Sequence, residues 1–383
     1  MSPAHQPRIL FVLRYHVSTL TGGAEVKAWA LATELAKRGW DVHYASEMNR
    51  VPAPNPRDGV TLHALPEDSS YWRGNRRPLR ALMRELNPDV VYNRVFDLYT
   101  LHAMEEAPPP ALTVWAVASD QDAAIGQAML NLWKTTPAFL FLKRWPVHLF
   151  WAWSALRGAR QAKLVISQYR GQYDRLRKHG IESVILPNSH EPVPESEVQS
   201  HDGIPMLLWV GSLKALKQPE IFFELARRLS DVPAEFVLVG QVQQPDYEPI
   251  LAKAQAELKN FTYLGFVPRH EVGRLFAQSH VHLKTSLFEA LPETFVQAWM
   301  RGVPVISLNV DPDGLLADKG LGICVHSVDE FERELRSLLA DPARRRDIGR
   351  RARAYAVQEY DLEANIKKFE RLLVERGVRL PER

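Results

Sequence analysis

Within SLFEALPETFVQAWMRGVPVISL (286–308), Glu289, Glu293 and Gln297 recur at four-residue steps. Such a step aligns side chains on one helical face. Pro292 stands between the first two, however, so one helix through all three is not expected. VHLKTS (281–286) reads instead as a strand ending in a loop, with a helix beginning near Pro292. Proline suits the first helical position because its missing N–H would have no partner there. The N–H groups of Glu293, Thr294 and Phe295 then point outward at the positive end of the helix. An anion belongs at that end, and a diphosphate is a natural candidate. Glu289 just before the helix and Gln297 one turn beyond Glu293 would offer a carboxylate and an amide to sugar or ribose hydroxyls. The plainer alternative is that Glu293 only complements the helix dipole while Gln297 is solvated. Spacing does not choose between them.

Groups so placed need a scaffold of strands and crossover helices. RILFVLRY (8–15) reads as a buried strand, followed by a loop with Gly22 and Gly23. AEVKAWALATELAKRG follows as a helix with Val26, Ala30, Leu31 and Leu35 on one stripe, and DVHYAS as the next strand. This order is a βαβ unit. It continues through a helix, PLRALMREL, and the strands DVVYNR, ALTVWAV, KLVIS and SVILPN. Residues 189–205, rich in Pro, Glu and Ser and without periodicity, read as a linker. The strand–helix rhythm then restarts at MLLWVGSL and runs through EFVLVG, FTYLGFV, VHLKTS and PVISLNV. The expected fold is α/β: two doubly wound, Rossmann-like domains. The boundaries are 1–190, the linker 189–205, 206–360, and a C-terminal helix over 361–383 that packs back toward the N-terminal domain. In open parallel sheets the loops beyond the strand carboxyl ends face the ligand crevice.

A chain of 383 residues is long for one core, which supports two domains. A formal net charge of +3 gives no nucleic-acid signature. The single cysteine, Cys324, excludes a disulfide framework or thiolate cluster and fits a reducing, cytoplasmic compartment. MSPAHQPRILFVLRY lacks a charged n-region leading into an apolar h-region, so no signal peptide is expected. No apolar run reaches the roughly 18–20 residues of a spanning helix. The 13 histidines form no HExxH, and His280 and His282 alternate along a strand, so no metal site is assigned. Basic residues are uneven: 123–180 holds ten Lys or Arg and one acid, Asp174. There Trp133, Trp145, Trp151 and Trp153 are interleaved with Lys and Arg. That mixture suits a bilayer interface, giving peripheral membrane contact through 129–157. Pro137, Pro146 and the Lys143–Arg144 pair should interrupt it. The competing reading is an enlarged helical hairpin with its tryptophans buried.

The segment 286–308 resembles the signature of the family-4 retaining glycosyltransferases of the GT-B architecture. Those enzymes carry a Glu, seven residues, a second Glu, and a GxPVI strand. Glu289 and Gly302–Ile306 match, and Gln297 stands at the second Glu. GGAEVKAWALATELAKRGWDV, SVILPN, LLWVGSLKALKQPEIFFELA, FVLVG and LGFVP fall in the family's order. The resemblance covers nearly the whole chain, most weakly over 123–160. It implies two domains facing each other across a cleft, acceptor-binding first and nucleotide-sugar-binding second. It also implies that Lys217 neutralises a donor diphosphate, with Ser212, after Gly211, in place of the partner arginine. Glu289 would grip the donor sugar, Gln297 the ribose, and the backbone of Gly265, Phe266 and Val267 the base. Gly22 and Gly23 would close on phosphate and acceptor. Asp120 lies where the family often has a histidine near the donor sugar, which makes it a catalytic candidate as a hydroxyl acceptor or an acceptor-activating base, with a helix N-cap role equally open. A DxD pair binds Mn²⁺ or Mg²⁺ in another glycosyltransferase architecture, but DPDG (311–314) reads as turn chemistry.

The implied function is transfer of a hexosyl unit from a UDP- or GDP-sugar to a carbohydrate or lipid-linked acceptor. Anomeric configuration is retained and no metal or other cofactor is needed. The setting is cell-surface polysaccharide assembly at the inner face of the cytoplasmic membrane. Alternatives on the same fold are a sugar phosphorylase, a nucleotide-sugar epimerase, or a non-catalytic binding protein, the last motivated by Ser212 and Gln297.

Overall fold

The computed structural model describes residues 6–18, 23–47, 58–67, 75–119, 122, 138–198 and 203–382, with 138–148 and Arg269 described as backbone only. The chain divides into two compact units, Met1–Ser189 with Glu363–Arg383, and His190–Leu362.

The first unit is built on a parallel sheet in the order β3-β2-β1-β4-β5-β6-β7. The strands are β1 Arg8–Tyr15, β2 Asp41–Glu47, β3 Val60–Leu65, β4 Val90–Asn93, β5 Leu112–Ala116, β6 Leu164–Ser167 and β7 Val184–Ile185. The apolar run Ile9–Leu13 in β1 is fully buried, as both faces of a parallel sheet are covered by crossover helices. The first helix, Gly23–Lys37, turns Ala28, Ala32 and Leu35 inward together with Glu25. Of the predicted stripe only Leu35 is among them; small alanines, not Val26 and Leu31, form the contact face. The helix Ala138–Gln161 runs without a break through Pro146, where an interruption was expected. It packs on the helix Leu98–Glu106 at Gly158, where an added Cβ would lie 2.7 Å from the Leu101 backbone. The last helix, Leu362–Val374, places Phe369 edge-on to Tyr92 at 6.1 Å. Its Glu370 accepts hydrogen bonds from Trp40 Nε1 (3.4 Å) and Arg38 (3.3 Å), which fixes the returning chain to the first unit.

The second unit carries a parallel sheet in the order β10-β9-β8-β11-β12-β13. These are β8 Met206–Val210, β9 Glu235–Val239, β10 Phe261–Gly265, β11 Val281–Lys284, β12 Val305–Leu308 and β13 Gly322–Val325. One face is filled around Phe222, Phe236 and Phe331, the other around Phe276, Phe295 and Trp299. Strand order reverses between β8 and β11. The loops after these two strands therefore flank the switch point, where ligands bind in such sheets. Gly240, at φ 149°, closes this end: an added Cβ would sit 1.6 Å from the carbonyl oxygen of Gly211.

Candidate functional site

The loop after β8 and the loop after β11 are tied together at the switch point. Trp209 Nε1 donates to Thr285 Oγ1 at 2.9 Å, and that hydroxyl donates to the carbonyl oxygen of Lys217 at 2.7 Å. The Leu287 N–H donates to the carbonyl oxygen of Leu216 at 3.0 Å. The short 3₁₀ turn Ala215–Lys217 is thereby pinned, and Gln218 ends it in a left-handed conformation at φ 46°.

This frame brings Lys217 and Glu289 into direct contact and adds a third residue that sequence reasoning did not select. Glu289 Oε1 pairs with Lys217 Nζ, with Lys284 Nζ at 2.6 Å, and accepts from Ser286 Oγ at 2.7 Å. The side chains are mostly inaccessible: Lys284 4 %, Glu289 17 %, Lys217 18 %. Burial pushes the Lys284 ammonium down to about 8, against the pull of Glu289. Burial opposes ionisation of Glu289 as well, but Lys284 and Lys217 outweigh it and hold the carboxyl at about 2. Two ammonium groups against one carboxylate leave a net positive charge in a mostly buried site, where Coulomb attraction is stronger than in water. Lys284 ends β11, a strand buried between β8 and β12. The sequence carries no signal for it, because V-H-L-K alternates like an ordinary strand and only the strand order shows this lysine closing a central one.

The helix beyond the loop is Glu293–Met300, with Pro292 as its N-cap and no capping side chain. The helix therefore starts one residue later than expected. The Phe295 N–H donates to the Pro292 carbonyl at 3.0 Å, so it is not one of the outward donors. The Phe295 side chain is core, against His282 and Trp299. Thr294 Oγ1 is buried with no partner among the described residues. Glu293 turns to His190, Oε2 lying 3.2 Å from Nε2, and does not join the lysine cluster. The Gln297 side chain is partly exposed on the same helix. Gly211 and Ser212 open the loop that carries Lys217. Gly265, at φ 68°, ends β10 beside them: its carbonyl accepts from the Gly240 N–H at 2.8 Å. Phe266 is 67 % exposed and Val267 half-buried.

Gly23 begins the first helix of the first unit with open space around it. Gly22 and Asp120 lie outside the described residues, as do Trp133 and the side chain of Trp145. In DPDG both Asp311 oxygens are taken by backbone, accepting from Leu316 N (2.8 Å) and Ala317 N (3.1 Å), as turn chemistry requires. His282 is core, its Nδ1 2.9 Å from the Leu208 carbonyl, and burial pushes it down to about 3, so it stays neutral. No helix among the described residues is long and apolar enough to cross a membrane.

The sequence matches the model for Glycosyltransferase Family 4 over residues 21–192 and the model for Glycosyl transferases group 1 over 195–355. No curated protein sequence matches significantly. Among solved structures, Alr3699/HepE of Anabaena in complex with UDP superposes with a TM-score of 0.75 at 16% identity, covering 96% of this chain and 100% of that one. The same Anabaena protein is also known with UDP-glucose. A glycosyltransferase of Rickettsia africae ESF-5 gives 0.74 at 15% identity over 97% and 98% of the two chains. WaaG, a glycosyltransferase involved in lipopolysaccharide biosynthesis, gives 0.69 at 19% over 95% and 99%. With one glycosyltransferase model matched to each half of the sequence in turn, and two parallel-sheet units of this kind, the chain is a glycosyltransferase of the GT-B fold.

Proposed function

We propose that the chain moves a hexosyl unit from a UDP- or GDP-sugar to a carbohydrate or lipid-linked acceptor, with retention of configuration, in cell-surface polysaccharide assembly. The observation that carries this reading is the buried Lys217–Glu289–Lys284 cluster at the switch point of the second unit. As the bond from the sugar to the donor diphosphate breaks, negative charge develops on the departing phosphate. Lys217 and Lys284 supply preorganised positive charge there, and Lys284 takes over from the arginine that Ser212 replaces. The N–H groups of Glu293 and Thr294, with the Thr294 hydroxyl, complete the anion site at the helix terminus. Glu289 keeps both ammonium groups in place and faces the donor sugar; Gln297 takes the ribose; Gly265–Val267 takes the base. Gly22–Gly23 and Asp120 belong to the acceptor side. The Anabaena complexes with UDP and UDP-glucose support a nucleotide-sugar donor.

Because lysines carry the phosphate charge, no divalent metal is required. Release of nucleoside diphosphate from the sugar donor should persist in excess EDTA. Activity that disappears in EDTA and returns with Mn²⁺ would contradict this. The donor itself is identified by thermal shift with UDP, GDP and ADP and their sugars, since a ligand bound only by the native state raises Tm according to its affinity. A chain whose Tm responds to none of them is not such a transferase.

The helix Ala138–Gln161 supports work at a membrane surface. Trp153 is 52 % exposed, beside Phe150, with the Arg157 guanidinium 5.6 Å over its ring. Binding to anionic liposomes should fall with added salt. Trp153→Ala should weaken that binding while leaving stability within about 0.5 kcal/mol, as for other surface changes. Liposome binding unaffected by the substitution removes Trp153 from the contact.

A further inference from the structure

Arg94 follows β4 in the first unit and is 7 % exposed. Its Nη1 donates to Tyr92 Oη at 3.3 Å and its Nη2 to Asn188 Oδ1 at 2.5 Å, while the buried Nε–H has no partner. Both partners are neutral. Among the described residues Arg94 forms no ion pair with a carboxylate. A buried cation without a counter-ion is costly, and a guanidinium has five donors in a rigid fork, of which two are used here.

The surroundings keep this fork in place. Asn188 follows β7 and donates from Nδ2 to Gln168 Oε1 at 2.7 Å. Gln168 follows β6 and donates from Nε2 to the carbonyl of Val117, just past β5, at 2.7 Å. One polar chain thus runs across the carboxyl ends of four strands and terminates on Arg94. Strand order in this sheet reverses between β1 and β4, so Arg94 stands at the switch point, where an open α/β sheet binds its ligand. Lys27, on the helix after β1, adds a second positive charge at this rim, donating to the carbonyl of Ser189 at 2.9 Å.

The two carboxyls that feel its charge, Glu25 and Asp122, make no hydrogen bond or ion pair with Arg94 among the described residues. Asp122 is occupied by Ser119 N and Oγ, each at 2.8 Å, and by Ala118 N at 3.0 Å. Glu25 and Asp122 are both pushed up by burial even though each feels the charge of Arg94.

We propose that Arg94, oriented by Asn188 and Gln168, is an oxyanion-binding residue that receives a carboxylate or phosphate group carried by the acceptor. The assignment to the acceptor rests on the transferase reading above; the site adds that the acceptor is anionic. A sugar carboxylate and a phosphate each present a pair of acceptor oxygens that a guanidinium fork can bind in bidentate fashion.

The test is the Nε–H resonance of Arg94 in the full chain, assigned by its loss in Arg94→Lys. The protein is titrated with sodium phosphate, with sodium glucuronate and with sodium chloride, at constant ionic strength. Saturable movement with phosphate or glucuronate, but not chloride, is expected, and whichever anion acts names the group. Asn188→Ala should weaken that response roughly tenfold or more, because the fork loses its orientation. A resonance unmoved by both anions overturns the proposal. So does one moved only by UDP or GDP, which would give Arg94 to the donor. The Tm response to nucleotides on the same samples reports on the transferase reading separately. A chain that binds nucleotide while its Arg94 resonance stays still loses this proposal alone.

Discussion

Glu289→Gln is expected to lower turnover by about 10²–10³-fold, on the scale of removing one preorganised group from a reacting centre. Affinity for the nucleoside diphosphate should change far less. Glu289 touches both lysines and, in the proposed donor site, faces the sugar, so its loss should misplace the charges without deleting them. The variant should also be less stable. Two buried ammonium groups would face each other without their carboxylate, and breaking a buried pair costs about 3–5 kcal/mol. A bound diphosphate replaces the missing negative charge, so its Tm increment should be larger in the variant than in the parent. The sign of the acid dependence follows from the same contacts. Glu289 is held at about 2 against an ordinary 4.5. Its contribution to stability is therefore fully present above pH 4.5 and is lost as pH falls toward 2. Glu289→Gln should remove that part of the acid sensitivity. Equal losses of nucleotide affinity and turnover, or a smaller Tm increment, would refute this placement.

Lys217→Ala should cost about 10²–10³-fold in kcat/KM with little change in Tm. Glu289 retains Lys284 and Ser286, and the carbonyl of residue 217, not its side chain, anchors Thr285. Lys284 should show itself through pH. Its ammonium lies at about 8 in the folded chain instead of 10.5. The unfolded chain therefore holds more protons between those values, and this lysine makes stability rise with pH across that window. Nucleotide affinity moves the other way. A diphosphate needs the charged lysine, so affinity should fall as pH rises above about 8, by up to about tenfold per unit. Lys284→Met should flatten both dependences. A parent whose affinity is level from pH 7 to 10 would remove Lys284 from the phosphate site.

Much of the fold was legible because parallel strands buried on both faces are short continuous apolar runs, as in RILFVLRY and MLLWV. Elements without a clear period escaped. The helix Leu98–Glu106 is buried almost all round, so no polar face marks it. The strands Val60–Leu65 and Gly322–Val325 lie at sheet edges, where the pattern is diluted by exposed positions and glycine. The stripe of the first helix was misjudged because its close contact uses alanines. At the site, Lys217 and Glu289 were readable from the family pattern, and the structure brings them together. Lys284 was not, because V-H-L-K looks like ordinary alternation until strand order puts it at the centre of the sheet. Arg94 was hidden likewise at the end of DVVYNR, its importance depending on partners from β6 and β7. Glu293 fitted the four-residue spacing, yet His190 draws it away.

The most direct test of the donor site is calorimetry in EDTA, comparing a nucleoside diphosphate, UDP or GDP, with its own nucleoside. The parent should bind the diphosphate far more tightly than the nucleoside. In the Lys217→Ala/Lys284→Met double variant that advantage should collapse while nucleoside binding remains. An advantage that survives in the double variant, or that appears only when Mn²⁺ is added, would show that the lysine cluster does not hold the phosphates.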